Sequence, residues 1–169
     1  MRRTLLLAAV IVTALLLQTT IFADIRLLGA RPELMYLLTI VFAFLEGPAS
    51  GAVTGFAGGM AQDFFLDEPK GITALTLTLL GYAVGTLRQY IVSPSPLFPV
   101  LLVAGGTFVG VLFNRVVAFL LGQLDVSFVY LLRVAALSAV YNAILTPLLF
   151  PLLRRAIEGT SRSRRVARW

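Results

Sequence analysis

Apolar residues in this chain come in long runs separated by short polar or proline-containing breaks. The first run gives a helix over about Thr4 to Ala23, after which "DIRLLGARPE" forms a polar connection. Pro32 suits the first turn of a second helix, because its missing N–H has no partner to lose there. Its run "LMYLLTIVFAFLE" ends near Glu46 and is short for a membrane span, so this helix either tilts little or continues past a tight "EGP" turn. A third helix is expected over Ala49 to Leu66, with "DEPKG" as the turn into a fourth, "ITALTLTLLGYAVGTLRQYI". The prolines of "SPSPLFP" mark the next break, since each pushes the residue before it out of helical geometry. A fifth helix follows over Leu97 to Leu121, then a "GQLD" turn and a sixth over Val126 to Leu153. The expected architecture is all-α and polytopic: six transmembrane helices in one bundle over residues 1–153, with a tail over residues 154–169.

Composition agrees with that pattern. Of 169 residues, 59% are hydrophobic and 13% charged, and the mean hydropathy is +0.92, more apolar than one soluble core requires. A separate soluble domain has no room. Cysteine and histidine are absent, which removes disulfides, thiol nucleophiles, imidazole relays and the usual zinc and haem ligands. The basic start followed by an apolar run raises a signal peptide, but the run is long and Ile21 with Ala23 makes a poor cleavage site, so a retained first helix is expected.

The formal charge of +6 sits at chain ends beside apolar runs and lacks interleaved aromatics, so anionic lipids, rather than nucleic acid, are the expected partner. With the N-terminus inside, the inner segments hold Arg2, Arg3, Arg88, Arg154, Arg155, Arg162, Arg164, Arg165 and Arg168, and the outer loops hold Arg26, Arg31 and Lys70. Nine against three places both termini in the cytoplasm. The basic tail, Arg154 to Arg168, either rests on headgroups or docks a cytoplasmic partner.

Gly47, Gly51, Gly55 and Gly59 recur every fourth residue, and Asp63 takes the next place. No Gly-Lys-Ser/Thr follows, so this is no phosphate loop. Such spacing instead places glycines in a row on one helix flank, where another backbone can come close. Gly81 and Gly85 form a second pair. The row serves either packing within the bundle or a groove for another protein's helix.

Asp63, Arg115 and Arg133 are ionisable residues inside expected spans, about one to two turns from the outer turns. An unpaired charge at that depth is costly. Asp63 is expected to pair with Arg115, Arg133 or both; the alternative is that both arginines snorkel to the headgroups. Gln62, Asn114 and Asn142 read as interhelical hydrogen-bonding glue. No Ser/His/Asp set exists and Asp63 lacks a second carboxylate, so neither an enzyme nor a metal or cofactor site is expected.

Three motifs in order, "RPELMYLL" at residues 31–38, "GAVTGFAGGMAQD" at 51–63 and "GITALTLTLLGY" at 71–82, with "NAILTP" near the last helix, resemble the rod shape-determining MreD family. The resemblance implies a non-enzymatic scaffold in the bacterial inner membrane that binds MreC and helps position peptidoglycan synthesis. It also implies links to MreB, to RodA and to RodA's transpeptidase. MreD proteins are in turn similar to the substrate-binding subunits of energy-coupling-factor transporters, which have six helices of like size. In those subunits an Ala-x3-Ala pair on the first helix meets the coupling protein, and Ala9-x3-Thr13 is an approximate counterpart. A small-molecule transporter subunit is therefore the alternative expectation.

Overall fold

The apolar run "LMYLLTIVFAFLE" becomes the axis of the fold. The computed structural model describes the backbone of residues 2–20, 32–65, 71–91, 97–122 and 127–166, and the side chains of those between 5 and 157. Among them are six α-helices: α1 (Arg2–Thr20), α2 (Leu34–Glu46), α3 (Pro48–Phe65), α4 (Ile72–Leu87), α5 (Phe98–Leu120) and α6 (Phe128–Val166). A single 3-10 turn, Arg88–Tyr90, follows α4.

Every residue of α2 from Leu34 to Ala43 is buried, and α1, α3, α4, α5 and α6 all pack against this helix. A helix apolar on every side has no face to give to water and stabilises the fold best at its centre. At 13 residues it is about 20 Å long, well short of a roughly 30 Å hydrocarbon core. Only α5 and the Phe128–Ile157 part of α6 are long and apolar enough to cross a membrane by themselves among the described residues. The six expected helices are all present among the described residues; α2, expected to be short, is the enclosed one, and glycine and threonine dilute α3 and α4.

Some boundaries move. Pro32 and Glu33 precede α2 instead of lying in its first turn. The sixth helix does not stop at Leu153 but runs on to Val166, through Pro147 and Pro151. Leu153 and Ile157 are both buried, so the boundary expected at residue 153 falls within a continuous helix. Most of each expected connection, "DIRLLGARPE", "DEPKG" and "GQLD", lies outside the described residues, as do Leu66 and Val126.

Large apolar side chains face outward on the helices around α2, including Leu5 and Leu16, Val53 and Phe56, Leu75 and Leu79, Leu101 and Val109, and Ile144 and Leu148. Monomeric soluble proteins do not expose apolar surface on this scale. Polar side chains meanwhile lie inside: Gln18, Glu33, Gln62, Asp63, Thr107, Ser138, Asn142 and Thr146 are all buried. This apolar exterior around a polar interior suits a bilayer.

Gly47 joins α2 to α3 at φ 99°, ψ −177°, a region that essentially only glycine occupies. Its N–H closes α2 on the Ala43 carbonyl at 2.9 Å, and a Cβ there would meet nothing within 4 Å. Gly47 is therefore a turn glycine and not the first rung of the packing row. Gly47→Ala should destabilise the protein by about 1–3 kcal/mol through strain alone, read as a lower unfolding midpoint in detergent.

Candidate functional site

The glycine row packs α3 against α4 main chain to main chain. A Cβ at Gly51 would run into the Gly81 carbonyl oxygen, and one at Gly81 into the Gly51 carbonyl oxygen. Further along, Gly55 faces the Leu77 carbonyl, Gly59 faces the Ala74 backbone, and Gly85 faces Pro48. Such close approach supplies the van der Waals contact that lipid-immersed helices need, because apolar surface gains little by leaving acyl chains. Of the two uses expected for the row, the structure fills it with α4.

Asp63 is the next rung of the same row, and its surroundings follow from that. Fully buried, it faces the first turn of α4, whose opening N–H groups have no partners inside their own helix. Its Oδ2 accepts from Gly71 N at 2.8 Å and from Ala74 N at 3.2 Å. A carboxylate on one helix thus caps the next, where the helix dipole also favours negative charge. Amides of α4 thus take a place expected for Arg115 or Arg133; Arg115 is half-buried on α5 and Arg133 is exposed on α6. Asp63→Ala should cost about 1–2 kcal/mol, Asp63→Asn much less because an amide oxygen still accepts, and a charge swap with Arg115 or Arg133 should restore nothing. Thermal midpoints of the purified variants check all three.

A second buried carboxylate, Glu33, ties more of the bundle together. Its Oε2 accepts from Gln18 Nε2 of α1 and from Gln62 Nε2 of α3, each at 3.3 Å. Its backbone carbonyl accepts from Asn142 Nδ2 of α6 at 2.9 Å and from the Tyr36 and Leu37 amides that open α2. Asn142 also donates to Thr107 Oγ1 of α5 at 3.0 Å. Five helices therefore meet around one acidic residue. Nearby, Asn114 of α5 donates to Thr73 Oγ1 of α4 at 3.2 Å. Gln62, Asn114 and Asn142 bond across helices as their sequence positions suggested; Glu33 was hidden in a polar connection, and its only signal was an acid poised before an all-apolar helix.

These groups are spent on holding helices, and no cluster of three or more metal-ligating side chains occurs among the described residues. At the opposite end, Arg88 Nη1 donates to the Leu45 carbonyl at 2.8 Å, closing the C-terminus of α2 with a cation. Phe44 joins Phe98 and Phe150 there, at ring separations of 6.0 and 6.2 Å. In the basic tail, Arg154 and Arg155 are exposed on α6. Arg162, Arg164 and Arg165 ride on its last turns, with side chains outside the described residues, as is all of Arg168.

An all-helical bundle with an apolar outer surface and buried polar side chains that bond helix to helix defines a membrane protein. The family model of the rod shape-determining protein MreD matches residues 1–156, and the chain belongs to that family. No curated protein and no solved structure gave a match.

Proposed function

We propose that this protein is a non-catalytic membrane scaffold of the bacterial rod-elongation machinery, which binds MreC and helps to position peptidoglycan synthesis. The family match over residues 1–156 carries the reading. It is supported by a bundle whose buried polar groups join helix to helix and whose outer surface is apolar. RodA with its transpeptidase and MreB are partners at one remove or directly, and anionic lipids contact the basic tail. The lysine and arginine distribution supports a multi-pass arrangement in the inner membrane with both termini cytoplasmic.

Photocrosslinking from one outward position on each of α1, α3, α4, α5 and α6 in native membranes tests the scaffold reading. MreC captured from at least one face, together with restored rod shape when the gene is returned to a deletion strain, is the expected result. Capture of lipid alone from every face would end it. No observation favours the transporter-subunit alternative, and the apolar walls of the described cavities offer nothing to grip a vitamin-like ligand.

A further inference from the structure

Between α1 and α6 lies a laterally open groove of about 260 Å³, walled by Leu6, Val10 and Thr13 of α1, Leu38 of α2, and Leu149 and Leu153 of α6. Thr13 is the one hydroxyl on this wall, and it donates to its own helix, to the Ala9 carbonyl at 2.7 Å. The side chains therefore offer an occupant no donor, and only the Thr13 oxygen as an acceptor. Water would find too few partners in such a site, and sugars, nucleotides and charged metabolites would lose most of theirs.

Charge narrows the occupant further. At one end the groove meets charge: Leu153 is followed directly by Arg154 and Arg155, both exposed, and α1 starts at Arg2 and Arg3, three to four residues before Leu6. An apolar slot that ends where two helices turn basic complements a lipid with an anionic head.

We propose that this groove is a binding site for one acyl chain of an anionic phospholipid, whose phosphate is held by Arg154 and Arg155. The site needs only that the chain lies in a bilayer, whatever its protein partners. It would add to the packing of α1, whose Ile11, Ala14 and Leu15 already lie in the core, against α6.

The test uses the full chain in nanodiscs of phosphatidylethanolamine containing a minor fraction of phosphatidylglycerol with a diazirine on one acyl chain. After illumination, peptide mass spectrometry should place label on residues 6–17 and 149–153 in excess over the lipid-facing Leu101, Val109 and Ile144. The same probe built on phosphatidylethanolamine should label the groove less. Arg154→Gln and Arg155→Gln should each lower groove labelling by phosphatidylglycerol about fivefold, the worth of one basic residue at an anionic surface. Ala9→Phe should lower groove labelling by both probes and leave Leu101 unchanged. Should that variant not fold, the wild-type comparison still decides. Even labelling over all outward faces, equal labelling by the two headgroups, or capture of a protein instead of lipid by a photoreactive residue at position 149 in native membranes would each overturn the proposal.

Discussion

Gly55→Leu is expected to abolish accumulation of the folded protein. A side chain at this position meets the main chain of Leu77, which cannot rotate away as a side chain would, so α3 and α4 have to separate along their whole contact. Inserting one or two methylenes into a packed core already costs about 1–3 kcal/mol, and forcing two helices apart should exceed about 4 kcal/mol, at the far end of what single substitutions do. Gly55→Ala should lower the thermal midpoint and Gly55→Leu should leave no monodisperse species in detergent. The comparison that makes this specific is Gly105, where a Cβ meets nothing within 4 Å. Gly105→Ala should be neutral or slightly stabilising, since alanine is the better helix former by about 1 kcal/mol. Equal damage at positions 55 and 105 would mean that glycine content, and not the α3–α4 contact, is what matters.

Glu33→Leu should be almost as severe. It strands the amide hydrogens of Gln18 and Gln62, which both point at Glu33 Oε2 and are both buried. A buried donor left without an acceptor costs about 1–3 kcal/mol, so the loss should be about 2–6 kcal/mol. Glu33→Gln keeps an acceptor and should lose far less. Replacing donors and acceptor together is the sharper measurement, because a polar cluster exchanged whole for apolar groups can be nearly neutral. The triple variant Gln18→Leu, Glu33→Leu, Gln62→Leu should regain much of the midpoint lost by Glu33→Leu alone. If it regains stability yet fails to restore rod shape in a deletion strain, Glu33 serves the protein's function beyond holding helices.

Why some of this was legible in the sequence and some was not comes down to the range over which each contact acts. Four-residue spacing of Gly51, Gly55 and Gly59 is a local property of one helix, and it foretold a flank open to close packing. That the occupant is α4 depends on the hairpin, which brings Gly81 and Gly85 back along the same line. Asp63 was recognisable as a buried charge needing a partner, but arginines are the obvious candidates in a sequence, whereas unpaired amides at a helix start carry no letter. The uniform apolarity and the shortness of α2 were visible too; that its 13 residues are packed by all five other α-helices depends on contacts distant in sequence. Glu33 was the true omission, since neither its neighbours nor any spacing reveals that Gln18 and Gln62, 15 and 29 residues away in sequence, converge on it.

The main-chain contact between α3 and α4 has a consequence for how such a protein can change over time. Where two helices meet through carbonyls and glycine Cα atoms, the join is indifferent to the chemistry of the surrounding side chains. Outward positions such as Val53, Phe56, Leu75 and Leu79 take no part in that join, and as far as it is concerned any apolar residue of similar bulk serves. Most of the lettering on this hairpin is therefore free to drift while a few small residues and one acid stay pinned. A chain built this way can lose overall likeness to its kin long before it loses its shape.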